Sequence, residues 1–159
     1  MSEYVITVAW ERGDAAFTDR RYSRAHHWRF DGGATVPASS SPQIVPSPYS
    51  ETGNVDPEEA FVAALSSCHM LWFLDFAARR GFVVDQYTDR ASGVLAKDAA
   101  GLLAMTHVTL HPHTVFAGAL HPSGEDVAAL HHQAHQACYI ANSVKTTVET
   151  EPTWDAVPQ

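Results

Sequence analysis

Residues 56–81 read D-P-E-E-A-F-V-A-A-L-S-S-C-H-M-L-W-F-L-D-F-A-A-R-R-G, and this stretch decides how the rest of the chain is arranged. Its two ends carry a full set of helix signals. Asp56 supplies a capping oxygen, Pro57 suits the first helical position, and Glu58 and Glu59 favour the positive N-terminal end. Arg79 and Arg80 suit the negative C-terminal end, and Gly81 permits the left-handed residue that stops a helix. From Ala60 to Leu74 there is no Asp, Glu, Lys or Arg. A helix without a charged face is expected to be wrapped by protein on nearly all sides. Cys68, near its middle, is therefore expected to be an interior thiol, either of the fold or of an interface.

Upstream, Glu3 to Glu11 alternates Tyr4, Ile6, Val8 and Trp10 against smaller residues, as a strand does. Phe17 to Phe30 is expected as a second strand carrying Arg20, Arg21, Arg24 and Arg29, closed by the turn Asp31-Gly32-Gly33. Residues 34–53 are rich in Pro and Ser, keep no period, and are expected as a loop. Downstream, Phe82–Lys97 and Leu102–Phe116 read as two long strands of a hairpin or meander, with Pro112 making one end an edge or a bulge. Ser123, with Asp126 three residues on, opens a second helix expected to run to about Ser143, with Cys138 in its last half. Lys145–Glu151 reads as a closing strand and residues 152–159 as a tail. The order predicts one α+β domain over residues 1–159, with two long helices against largely antiparallel sheets. Each helix delivers one cysteine.

A chain of 159 residues is long enough to close a core around such a helix. Its formal charge of −8 is the wrong sign for neutralising phosphates, so nucleic acid and anionic membrane surfaces are not expected partners. The N-terminus lacks the basic and apolar regions of a signal peptide, and a cytoplasmic location is expected. The apolar run of the central helix approaches the length of a membrane span, but Ser66, Ser67, His69 and Asp75 interrupt it. The two cysteines read as thiols or a working redox pair rather than a structural bridge.

Taken alone, Cys68 is a small core residue. The second cysteine, in a comparable place on the other helix, adds a redox reading: an attacking thiolate becomes a sulfenic acid, and a resolving thiol condenses with it. Such a thiolate needs a nearby cation, for which Arg is suited, and a carboxylate to hold that Arg. Glu58 precedes Cys68 by ten residues, about 15 Å along a helix, so the two cannot meet within one copy. If both serve one site, Glu58 reaches a second copy. The plainer role for Glu58 and Glu59 is helix N-terminal electrostatics. A different reading comes from His131, His135 and Cys138, which share a helical face and, with His69 or Cys68, resemble a zinc or iron ligand set; solvated helix histidines are the plain alternative.

The runs N-V-D-P-E-E-A-F-V-A-A-L-S-S-C-H-M-L-W at 54–72 and A-H-Q-A-C-Y-I-A-N-S-V at 134–144 resemble the OsmC/Ohr family of thiol-dependent hydroperoxide reductases, over roughly residues 3–151. The resemblance implies an intertwined homodimer with two interfacial sites. It implies that Cys68 is the peroxidatic cysteine, Cys138 the resolving one, and Glu58 the carboxylate that orients an Arg. In one branch of the family that Arg precedes the Pro-Glu pair by about ten residues, where this chain has Pro48. In the other it comes from the N-terminal region, where Arg24 matches best, with Arg21 and then Arg29 in reserve. The implied substrate is an organic hydroperoxide and the implied reductant a dithiol, lipoyl-bearing or small, with no metal or organic cofactor. A non-redox metal- or ligand-binding protein on the same fold is the alternative.

Overall fold

The computed structural model describes residues 1–157. Its contacts gather into two compact units, residues 1–60 and residue 61 onward. The first unit holds an antiparallel meander of β1 (Ile6–Ala9), β2 (His26–Phe30) and β3 (Thr35–Ala38), in that order. Ile6 pairs with Phe30 and Val8 with Trp28, so the upstream alternation sets the register.

Two expectations are corrected here. The second strand is confined to His26–Phe30, because the aromatic residues before it pack on one another instead of extending. Phe17 stacks on Tyr22 at 4.8 Å, Tyr22 meets Trp10 edge-on at 5.4 Å, and the Trp10 indole donates to the Ser23 carbonyl. The stretch 34–53 is not all loop either, since it contains β3. Pro37 lies within that strand and is tolerated because β3 is an edge. A parallel bridge from Ala38 to Val55 then leads the chain to α1 (Pro57–Arg79).

The α1 start follows the sequence closely: the Glu59 N–H donates to the Asp56 carboxylate at 2.8 Å and the Glu59 carboxylate accepts from the Asp56 N–H at 3.4 Å. At its other end Gly81 adopts φ 81°, with Gly81 N–H bonded to the Ala78 carbonyl and Phe82 N–H to that of Ala77. This double bond pattern is a Schellman stop.

In the second unit the order is β4 (Val83–Asp89), β5 (Ser92–Lys97), β6 (Leu103–Leu110), β7 (Pro112–Ala117), α2 (Gly124–Ala137), a 3-10 turn (Ala141–Ser143), β8 (Thr147–Thr150) and β9 (Thr153–Ala156). Two three-stranded sheets result, ordered β4-β7-β9 and β5-β6-β8. The β4–β7 and β5–β6 pairs are antiparallel, whereas β6–β8 and β7–β9 are parallel, so these sheets are mixed rather than largely antiparallel. The parallel pairs are possible because α2 carries the chain back between β7 and β8.

Each of the two expected long strands breaks, one after Asp89 and the other at His111, and its halves join different sheets. The Asp89 carboxylate accepts the His111 N–H at 2.7 Å, which pins the two breaks together. Pro112, lacking an N–H, opens β7 instead of forming an edge within a strand. The expected tail is corrected as well: residues 153–156 form β9, while residues 158–159 lie outside the described residues.

Phe73 and Ala77 of α1, Phe82, Phe116 of β7, and Val127, Leu130 and Ala134 of α2 form one core cluster. Leu65, Val108 and Leu110 centre a second, under Phe61, Val62 and Val144. Gly93 permits this second packing, because a Cβ there would lie 2.6 Å from Val62 and 2.4 Å from the end of Met105. The expected wrapping of α1 is not met by its own chain. Its buried residues are Leu65, His69, Phe73 and Ala77, one stripe at four-residue spacing, while Leu71 is 61% exposed. The length and composition of α1 are those of a membrane span, yet its buried stripe includes the polar His69.

Candidate functional site

α1 and α2 run antiparallel. Arg80 at the end of α1 pairs with Asp126 at the start of α2, and Phe73 stacks on His131 at 4.3 Å. One further turn back along α1 is Cys68, and the matching place on α2 is Cys138. The second helix is shorter than expected: it ends at Ala137, so Cys138 caps it rather than lying within it. Its start is the expected one, since Ser123 and Asp126 exchange both bonds of a capping box.

The exit from α2 shapes the environment of the second thiol. Cys138 leaves the helix with extended backbone (ψ 109°), and the chain turns back so that the Ala141 N–H donates to Cys138 Sγ at 3.3 Å. Cys138 is 1% exposed, whereas Cys68 is half-buried, and both are free thiols. The Cys68 thiol lies close enough to Cys138 to perturb its ionisation. Burial pushes the Cys138 pKa up to about 11, helped by the neighbouring Cys68 thiol and opposed by the N–H groups of Ala141 and Ile140. At neutral pH Cys138 therefore holds its proton, next to a thiol that is open to a reactant from outside. An oxidised Cys68 would meet a second thiol already in place, and the turn's N–H groups would steady charge on the second sulfur.

The stripe that faces the sheets carries a second polar pair. His69 Nε2 and His131 Nδ1 are 3.0 Å apart, with their rings stacked 12° from parallel. Burial lowers His69 to about 4, with His135 adding to the fall and Asp89 opposing it. Burial and the neighbouring His69 lower His131 to about 3. Both rings are neutral at pH 7, one donating and one accepting. His69 Nδ1 and His131 Nε2 are buried without a partner among the described residues.

This pairing corrects the metal reading. His131 turns into the core, His135 is half-exposed, and His132 faces outward, bonded to Gln136 at 2.9 Å. Among the described residues no group of three or more His, Cys, Asp and Glu is placed to hold a metal. Asp89 was not legible as a structural centre in the sequence. Besides binding His111 N–H it accepts the Ser66 hydroxyl, tying α1 to the break between β6 and β7.

The other site residues lie in the first unit. Glu58 is half-buried in the first turn of α1, and its carboxylate makes no hydrogen bond or ion pair among the described residues, since Glu59 forms the capping box. The Arg24 guanidinium lies 3.9 Å over the Tyr22 ring and donates to the carbonyls of Arg20 and Tyr22. Arg21 Nε donates to the Tyr49 hydroxyl at 2.8 Å, and Arg29 sits in β2 opposite Thr7 and Thr35. The structure brings together Cys68 and Cys138 of the four candidates.

An α+β fold with one thiol within a long helix and a second at the end of an antiparallel one defines a narrow class of protein. The family model for OsmC-like proteins matches residues 50–153, and the chain belongs to that family. An OsmC-like protein of unknown function from Vibrio cholerae is 53% identical, with a TM-score of 0.95 over 96% of this chain and 100% of that one. The organic hydroperoxide resistance protein of Elizabethkingia anophelis superposes with a TM-score of 0.67 at 16% identity, over 99% of this chain and 98% of that one. Another, OhrB of Bacillus subtilis, gives 0.63 at 17% identity over 97% and 98%. At such identities these two speak for the fold alone. No curated protein matches the sequence significantly.

Proposed function

We propose that this protein is a cysteine-based peroxidase that reduces organic hydroperoxides to alcohols. The observation that carries the reading is the neighbouring placement of the Cys68 and Cys138 thiols, the first half-buried and the second fully buried. The Cys68 thiolate attacks the hydroperoxide oxygen, the O–O bond breaks, and the departing alkoxide takes a proton to leave as alcohol. Cys68 is then a sulfenic acid. The Cys138 sulfur displaces its hydroxyl, which leaves as water with the Cys138 proton, and a Cys68–Cys138 disulfide forms. An external dithiol, lipoyl-bearing or small, returns both thiols and becomes a disulfide itself. No step calls for a metal or an organic cofactor.

The working form in this reading is a cytoplasmic homodimer. Support comes from the uncharged, uncovered face of α1, where Leu71 is exposed, and from the unengaged Glu58 carboxylate. Glu58 of one copy would hold an Arg, with Arg24 the first choice, beside the Cys68 of the other copy, where its fixed charge would favour the thiolate and the departing alkoxide. The choice of substrate rests on membership of the OsmC-like family, which includes proteins of organic hydroperoxide resistance.

Stopped-flow reduction of cumene hydroperoxide and of H2O2 by the pre-reduced protein tests the proposal. It predicts rapid turnover of the organic substrate, lost in Cys68→Ser and reduced at least tenfold in Arg24→Ala. No peroxide consumption beyond that of Cys68→Ser would refute it. Unchanged activity in Arg24→Ala would move the role to Arg21 or Arg29.

A further inference from the structure

The chain has only two lysines, Lys97 and Lys145, and both line one cavity of about 690 Å³. That volume lies within the range of small-molecule sites. The lysines arrive from different elements. Lys97 ends β5, whereas Lys145 lies between the 3-10 turn and β8. The cavity floor is apolar, made by Phe61, Ala104, Met105 and Val144.

A β-bulge shapes the same place. Val94 pairs with His107 and Leu95 with Met105, so Thr106 is the extra residue and Met105, Thr106 and His107 all reach the cavity. Several of the polar groups that would compete for a ligand are engaged, although among the described residues the His107 imidazole is not. The Thr146 hydroxyl donates to the Met105 carbonyl at 2.7 Å, and the Thr106 hydroxyl lies 3.4 Å from the Val94 carbonyl. Asp98, the one acid lining the cavity among the described residues, accepts the N–H groups of Ala100 and Leu102 on its Oδ1, each at 2.9 Å, which ties that oxygen to its own hairpin. Neither lysine has an ion pair or hydrogen bond among the described residues. Two unengaged ammonium groups over an apolar floor, in a chain of net charge −8, mark a local reversal of sign.

We propose that this cavity binds a small amphipathic carboxylate, its anionic head between Lys97 and Lys145 and its hydrocarbon body against Phe61, Met105 and Val144. Polyanions do not fit, because the surrounding acidic surface repels a long charged chain while the apolar floor offers nothing to one. The site is independent of the thiols and holds whatever chemistry Cys68 performs.

Titration calorimetry of the reduced full-length protein with octanoate tests it, with 1-octanol as the uncharged counterpart. The expected result is saturable binding of one octanoate per chain, at least tenfold tighter than 1-octanol. That affinity falls at least tenfold in the exposed double variant Lys97→Gln/Lys145→Gln, about 1.4 kcal/mol. It also falls in the unaltered protein when NaCl is raised from 0.05 to 0.5 M. Absence of saturable binding up to 5 mM overturns the proposal, as does an affinity for octanoate unchanged in the double variant or equalled by 1-octanol. A double variant that dissociates into smaller species by sedimentation would assign the lysines to a subunit contact and overturn it too.

Discussion

Acidification is expected to weaken the fold through His69 and His131 well before the carboxylates titrate. An unfolded histidine has a pKa near 6.5, while the buried pair is lowered to about 4 and about 3. Above pH 6.5 neither state carries the extra protons and the pair makes no difference to stability. As pH falls below that value the unfolded chain takes up protons that the folded one refuses. The stability is therefore lost from pH 6.5 downward and is gone once pH has passed through the folded values.

Between pH 7 and pH 5 the linkage relation gives a loss on the order of 2 kcal/mol for each histidine, roughly 4 for the pair. Urea unfolding at pH 7, 6 and 5, at one fixed protein concentration, measures this directly. The double variant His69→Leu/His131→Leu removes both titrating groups together, so neither ring is left as a lone buried polar partner. It is expected to keep most of its pH 7 stability at pH 5. An equal loss in the variant and the original protein would refute the reasoning, since the exposed histidines and all carboxylates are common to both.

Three further outcomes follow from particular contacts. Gly93→Ala drives a methyl group into Val62 and Met105; Met105 can swing away but the stiff Val62 cannot, and urea unfolding should register a loss of about 1–3 kcal/mol. Ser123→Ala removes the α2 capping box and should lower Tm by about 2–4 °C in a thermal melt. Cys138→Ser should leave the first oxidation intact but strand Cys68 as a sulfenic acid, trappable by dimedone and carried on to sulfinic acid by excess peroxide.

Local chemistry made much of this fold readable. Asp56, Gly81 and Ser123 each act within a few residues of themselves, and each does what its position implied. The strand breaks were hidden because their cause is a long-range bond, from the Asp89 carboxylate to the His111 N–H, that no periodicity records. The early aromatic run misled for a related reason: Tyr22 satisfies itself against Trp10 and Phe17, not against a neighbouring strand.

At the site, the likeness of 54–72 and 134–144 to a known pattern pointed to Cys68 and Cys138, and antiparallel helices place them as neighbours. The histidine pair was half legible. His69 falls on the four-residue stripe with Leu65 and Phe73, which marks it as buried, but its bond to His131 depends on how the two helices meet.

The central claim is that the two thiols form a working pair, and one measurement addresses it most directly. The reduced protein is treated with one equivalent of cumene hydroperoxide, quenched with an alkylating agent, and its intact mass and peptides are read. The account predicts a product about 2 Da lighter that takes up no alkyl group, with the peptides of Cys68 and Cys138 joined. Two alkylated cysteines after the hydroperoxide has been consumed, or sulfinic acid at Cys68 beside an alkylated Cys138, would contradict it.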